Sequence, residues 1–399
     1  MGIMRVVPRF DLTAPSFHHD PYSVYRKLRE AEPVVRTPYG SWVVTRFAEV
    51  SALLRDSRLS VRFPDDPDWV TRHGGPGSVT VEDGRRWMLL RDGEDHRGIR
   101  GVFHRHFTPA AVERQARRVA DAVDAALGAL APGAVVDVVT GLAEPVVAEV
   151  LCDLIGFPAD RRGRYLEWSS AIARMTGPVP GTGVRERAET AMAEFRTEIG
   201  RLAREGRLSG IAAGLLGEET GPREAEFVAN TVMLAMAGTD TTVSQIALSV
   251  HALLRHPEQL EQARSDPGLV ARGTAEFARY DSPVQLVTRR TLLPVRVGDT
   301  TVPAGAKVML SLGAANRDPD RYPAPDRLDL NRPDVARLPF GDGPHYCLGA
   351  RMSKLVTGTT LAELLRRHPR LTPVAPLDRL EWRPSVVARR PRRLLIRLG

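Results

Sequence analysis

Two cysteines in 399 residues are too few for a disulfide framework, which points to a reducing compartment. Aromatic residues are scarce at 6%, so aliphatic and alanine-rich helices are expected to carry the core. Residues Met1 to Pro33 hold charges and histidines throughout, with no apolar leader run. The most apolar long stretch, Phe227 to Leu254, is interrupted by Asn230, Asp240, Gln245 and His251. It reads as a buried helix rather than a membrane span. We expect a cytoplasmic protein that meets no membrane. No internal repeat or low-complexity tract stands out. A net charge of +8 permits nucleic-acid binding, but the arginines are scattered among acidic residues and no aromatic-and-basic RNA motif occurs. We expect no nucleic-acid partner, and instead a local basic face for an acidic protein.

Hydrophobic residues at 43% and charged residues at 26% form an ordinary globular balance. The chain reads as one domain over residues 1–399, mainly α, with a small β-rich lobe. Helical spacing runs from Asp20 to Ala31, and Phe47 to Leu54 reads as a second helix. Val34–Val35 and Trp42–Val44 read as a hairpin around Tyr39–Gly40. Thr108 caps a helix expected to start after Pro109 and reach about Leu130. Further helices are expected over about Leu142 to Ile155 and Arg185 to Glu205. Pro222 opens one lasting to about Leu254, on the order of 50 Å at 1.5 Å per residue, which must cross the middle of the fold. After Pro283 the texture turns strand-like, at Val284–Leu286, Val295–Val297 and Val308–Leu312. Asn316 to Phe340 reads as ordered coil, Leu348 to Arg367 as a last amphipathic helix, and Leu394–Ile396 as a closing strand.

The most informative segment is Phe340–Gly341–Asp342–Gly343–Pro344–His345–Tyr346–Cys347–Leu348–Gly349. Three glycines within ten residues let a backbone approach a flat ligand. Cys347 stands just before a helix, whose positive end favours a thiolate. A thiolate is an electron-donating axial ligand for heme iron. Cys152, in the apolar run Val150–Leu151–Cys152, reads as structural. The segment around Cys347 resembles the heme-binding signature of the cytochrome P-450 family, Phe-Gly-x-Gly-x-His-x-Cys-x-Gly, at every fixed position. The resemblance implies a P-450-like helical domain and heme b (iron protoporphyrin IX), with Cys347 on the metal and Phe340, Gly341, His345 and Gly349 around the cofactor.

Inside the long apolar helix lies Ala237–Gly238–Thr239–Asp240–Thr241–Thr242. A glycine there costs about 1 kcal/mol relative to alanine, and the threonines and aspartate compete for backbone hydrogen bonds. Read alone, Thr241 bonds a carbonyl of the preceding turn and Asp240 pairs with an arginine. Beside the cysteine loop, the segment resembles the family's distal motif. That implies that Ala237 and Gly238 border the cofactor, with Gly238 opening a groove for dioxygen. Thr241 hydrogen-bonds the oxygen and a water, and Asp240 relays protons from solvent.

By the same resemblance, His96 and Arg100 hold one set of heme propionates, and Arg289 and His345 another. Glu276 and Arg279, at i and i+3, match the family's buried Glu-x-x-Arg, with Arg332 as third partner locking the coil before the cysteine loop. The resemblance covers about Asp20 to Leu398. It implies a monooxygenase, a monomer, that hydroxylates a small organic molecule, expected to be a secondary-metabolite intermediate. Electrons come from a ferredoxin or flavodoxin with its NAD(P)H reductase, docking on a face made by Arg105, Arg351, Lys354 and Arg367. Oxidative coupling, cyclisation or desaturation on the same heme fold is the alternative reaction. A non-catalytic heme sensor is disfavoured by the distal motif, and a zinc protein by the lack of ligand spacing. The expected substrate pocket draws on Trp69 to Leu90, Tyr165 to Pro180, Leu234 to Thr241, Val284 to Val287 and Ser385 to Val387.

Overall fold

A computed structural model describes residues 11, 14–176, 182–216, 224–385 and 387–399. After a short turn of helix at Pro15–His19, helix α1 (Pro21–Ala31) starts where expected, with Asp20 capping Ser23 N–H. Strands β1 (Val34–Arg36) and β2 (Trp42–Val44) pair antiparallel, Val34 facing Val44. Helix α2 spans Phe47–Arg55 and α3 spans Val79–Gly84. Helix α4 (Gly93–His104) carries His96, Ile99 and Phe103 on its buried side.

Thr108 caps Ala111 N–H as expected, but the helix it opens stops at Glu113. The chain bends at Arg114–Gln115 and resumes as Ala116–Gly128, so one expected helix is two: α5 (Pro109–Glu113) and α6 (Ala116–Gly128). Residues 114 and 115 are good helix formers, so nothing in the pattern announced the break. Helix α7 (Glu144–Ile155) ends on Gly156 at φ 91°, where an added Cβ would run into the Ser209 carbonyl. That left-handed residue is open only to glycine. Helices α8 (Arg162–Ala173) and α9 (Thr182–Arg204) follow.

The long helix α10 covers Glu224–Arg255; the expected start at Pro222 and the expected pocket residues 177–180 lie outside the described residues. Helices α7, α8, α9 and α12 (Ala350–Arg367) all pack on α10. It is buried along most of its length, in the largest apolar cluster. Among the described residues no helix is long and apolar enough to cross a membrane.

The β-rich lobe is a five-stranded sheet. Its order is β1, β2, β8 (Lys307–Ser311), β5 (Leu286–Thr291) and β3 (Leu59–Ser60). Strand β5 starts two residues later than expected, because Val284 pairs with Ala388 instead. Small ladders join β6 (Val295–Val297) to β7 (Thr300–Val302), and β4 (Val135–Asp137) to β10 (Leu395–Arg397) and β9 (Thr372–Pro373).

The coil 316–340 is fixed by charge. Glu276, on α11 (Thr274–Tyr280), accepts Arg279 at 2.6 and 2.8 Å and Arg332 at 3.2 Å. Arg279 is fully buried and donates to the carbonyls of Asn316, Pro325 and Arg327. Arg332 donates to those of Pro323, Ala324 and Arg327. This grip holds Ala324 at φ 46°, a backbone state that alanine avoids.

On α3, Asp83 is buried and neither carboxylate oxygen finds a hydrogen bond. Burial pushes its pKa up to about 6, against the pull of Arg196 at 3.4 Å and Arg86 at 3.8 Å. The folded chain therefore holds this proton more tightly than the unfolded chain. The associated stability is complete below the unfolded value near 3.9 and is lost as pH rises through about 6. Asp83→Asn should gain stability relative to the parent as pH rises from about 3 to about 7, by up to about 3 kcal/mol in urea unfolding. Parallel stability profiles across that range would contradict it.

Candidate active site

The cysteine loop is built by its glycines and one carboxylate. Gly341 has φ 79° and Gly343 φ 67°. A Cβ at Gly343 would lie 2.6 Å from the Leu54 carbonyl on α2, so this glycine lets the loop seat on that helix. Asp342 accepts Gly343 N–H at 2.8 Å, Arg337 at 2.7 Å and Ser51 on α2 at 3.1 Å. Cys347 N–H donates to the Phe340 carbonyl at 2.9 Å, which closes the loop directly ahead of α12. A Cβ added at Gly349 would meet no protein atom within 4 Å.

Cys347 is solvent-accessible, yet the surrounding protein pushes its thiol pKa up. Its sulfur therefore faces a recess in the fold rather than the outer surface. Gly349 N–H and the Arg100 charge pull the other way and do not win. Desolvation works against the thiolate that the helix end and the Gly349 N–H favour. Cys152 is sealed in the core, its thiol pushed up to about 12.

Around the loop gather the residues read as propionate partners. His96 and His345 stack with ring centroids 4.1 Å apart. Burial and the neighbouring positive charges push His96 down to about 4, so it is a neutral donor near pH 7. Arg100 donates to the Tyr346 carbonyl at 2.5 Å. Arg289 is buried and donates only to its neighbour's carbonyl, Thr288 O. Burial takes its guanidinium down to about 10, still a cation. Among the described residues neither arginine has a carboxylate within ion-pair distance. Arg290 points the other way, 3.6 Å from Asp66, so strand alternation assigns the inward role to Arg289. The sequence reading missed Asp92, which accepts Ser60 Oγ at 2.6 Å and Val61 N–H and lies 3.4 Å from His345 Nε2.

On α10, Leu234, Ala237, Gly238 and Thr241 are only half-buried, while the residues flanking them are buried. Their i, i+3, i+4, i+7 spacing is one open stripe on an otherwise packed helix. Thr241 Oγ1 donates to the Ala237 carbonyl at 2.7 Å. The missing Cβ of Gly238 points at Leu151 of α7, 3.0 Å away. Glycine there lets α7 pack close to α10. Asp240 is buried and accepts Arg383 at 2.6 Å, with Arg390 at 3.3 Å. Neither arginine was singled out in the sequence.

Other expected wall residues divide. Tyr165 is fully buried and hydrogen-bonds Thr239 Oγ1 at 3.0 Å, on the back of α10 rather than in the recess. Met88 N–H is held by Asn230 of α10 at 2.8 Å. Arg85 and Arg86 line an outer cleft of about 390 Å³ with Arg91 and Glu226.

The exposed cysteine, the two arginine cations and the stacked histidines suit a metal-bearing group with negative charges. The class this defines is the heme-thiolate proteins of mainly helical fold. Comparison with known proteins agrees. The Cytochrome P450 family model matches residues 184–397. The chain is 33% identical to the Vitamin D(3) 25-hydroxylase of Pseudonocardia autotrophica, over 98% of this chain and 96% of that one. It is 31% identical to the 6-deoxyerythronolide B hydroxylase of Saccharopolyspora erythraea, over 99% of this chain and 100% of that one. The crystal structure of CalO2 superposes with a TM-score of 0.91 at 32% identity, covering 98% of both chains. The chain belongs to the cytochrome P450 family and is a heme-thiolate monooxygenase.

The unpaired cations give a test. Arg289→Met should weaken heme retention by about tenfold, read as transfer of heme to apomyoglobin, while Arg290→Met leaves the transfer rate within twofold of the parent. Equal rates for the two variants would remove Arg289 from the cofactor site.

Proposed function

We propose that this P450 hydroxylates an apolar small molecule of secondary metabolism, using heme b held by Cys347. The observation that carries this reading is the exposed Cys347 in its glycine loop, beside Arg100 and Arg289, which have no carboxylate within ion-pair distance among the described residues, together with the half-buried, uncharged stripe Leu234–Ala237–Gly238–Thr241 on the long helix. Both cysteines are accounted for, one sealed in the core and one in the loop, so no thiol remains to attach the porphyrin covalently. That favours heme b. The relatives named as a vitamin D(3) 25-hydroxylase and a 6-deoxyerythronolide B hydroxylase support hydroxylation of a small organic molecule.

Heme supplied with two electrons activates dioxygen, so that one oxygen atom enters the substrate and the other leaves as water. The chain's own residues bind and move protons. Arg100 and Arg289 neutralise the propionates, with His96 and His345 as donors. Thr241 Oγ1, bonded to the Ala237 carbonyl, keeps its lone pairs for a donor in the recess. The Asp240 carboxylate takes protons from the hairpin side and hands them to Thr241 Oγ1.

A ferredoxin or flavodoxin with its NAD(P)H reductase is the electron source. Exposed Arg351, and Lys354 lying over the Phe340 ring at 5.2 Å, stand beside the cysteine loop; Arg105 is exposed as well. Arg367 is withdrawn from that face. It sits at the far end of α12, paired with Asp124 and Glu363.

With ferredoxin, reductase and an apolar compound that shifts the heme spectrum, the expected product is heavier by one oxygen atom drawn from dioxygen. Asp240→Asn should slow turnover on the order of a hundredfold with substrate affinity unchanged. A product lighter by two hydrogens would replace hydroxylation with coupling or desaturation. An unchanged rate in Asp240→Asn would remove the acid from the mechanism.

A further inference from the structure

The acid of the distal helix is held by two arginines, and both come from the same place. Arg383 Nη1 and Arg390 Nη1 reach one oxygen of Asp240, Oδ1, at 2.6 and 3.3 Å. Neither takes Oδ2. Arg390 also stands 3.8 Å from Glu144 at the start of α7. Burial lowers its guanidinium pKa, its Nε has no hydrogen-bond partner, and Asp240 is the strongest charge holding it. A grip that strips water from a cation is unlike an exposed ion pair, which is worth little.

Both arginines lie on a C-terminal hairpin. Trp382 pairs with Pro391, and Arg383 N–H donates to the Arg390 carbonyl at 3.0 Å. The hairpin is fastened by Arg389, which lies over the Trp382 ring at 3.6 Å and donates to Asp281 at 2.9 Å. Its far end runs along the segment that leads into β5. Gln285 N–H donates to the Val387 carbonyl, Arg389 N–H donates to the Pro283 carbonyl, both at 2.7 Å, and Val284 pairs with Ala388. Val284 and Val387 are half-buried. The described residues of one ribbon therefore touch the wall expected to meet substrate at one end and the proton-relay acid at the other.

We propose that Arg383 and Arg390 are positioning residues for proton delivery: they hold Asp240 on the hairpin side and release it toward Thr241 when substrate displaces the 283–285 wall. This rests on the relay role given to Asp240 above. The arithmetic of the reaction shows why such a hold matters. Substrate, dioxygen, two electrons and two protons give hydroxylated product and one water. The same dioxygen, electrons and protons, combined without the substrate reacting, leave as hydrogen peroxide. Tying the acid to pocket occupancy keeps the second outcome rare.

The test uses heme-loaded enzyme with its redox partners, comparing Arg383→Gln, Arg390→Gln, their double variant and Arg383→Lys. In the double variant, product formed per NAD(P)H should fall about fivefold, with peroxide making up the difference and substrate affinity within twofold. Arg383→Lys should restore most of the yield. Adding substrate should shift the carbonyl stretch of the reduced carbon monoxide complex in the parent and not in the double variant, a readout that needs no turnover. In an Asp240→Asn background the arginine variants should add nothing further. If the double variant does not fold, the comparison of Arg383→Lys with Arg383→Gln reads the same coupling. Arginine variants with parental yield, or effects that simply add to those of Asp240→Asn, overturn the clamp and leave the relay standing. An Asp240→Asn enzyme with parental turnover overturns both.

Discussion

The Glu276–Arg279 pair is the fixed point from which the cysteine loop is hung. Arg279 has no exposed surface, and its five donors are spent on Glu276 and on three carbonyls of the coil. Its guanidinium also lies over the ring of buried Tyr322 at 5.2 Å. The Tyr322 hydroxyl accepts Ala336 N–H, one residue before Arg337, which reaches Asp342 inside the loop. Removing one partner of such a pair leaves an uncompensated buried charge, at a cost of about 3–5 kcal/mol. That cost is why a coil of 25 residues with no regular structure before Leu338 can place a sulfur atom as firmly as a helix could.

Above that loop the long helix separates two kinds of chemistry by angle alone. Its half-buried stripe is uncharged. One residue before Thr241, Asp240 turns toward a hairpin that supplies two arginines. The loop side repeats the theme with opposite accounts: among the described residues Arg100 and Arg289 have no carboxylate within ion-pair distance, and His96 is held neutral by burial. Charge is thus left unbalanced where a dianionic cofactor belongs and balanced where an acid must be restrained.

The loop, the distal cluster and the Glu276–Arg279–Arg332 trio were legible because each is encoded within a few residues, or in a spacing that a family signature repeats. Arg289 and Arg290 are told apart by strand alternation once β5 is in place. The clamp on Asp240 was not, since Arg383 lies 143 residues away and arginines are common in this chain. Asp92 escaped for the same reason; its partners Ser60 and His345 converge only in three dimensions. The bend at Arg114–Gln115 carries no glycine or proline to mark it. The packing of Leu151 against Gly238 is likewise contained in no local pattern.

Everything assigned to the site depends on sulfur reaching the metal. Sulfur-edge and iron-edge X-ray absorption of the purified heme-loaded protein measures this directly. The account predicts one iron–sulfur bond, present in the parent and absent in Cys347→Ala while Cys152→Ala keeps it. An iron bound only by nitrogen in the parent would contradict it.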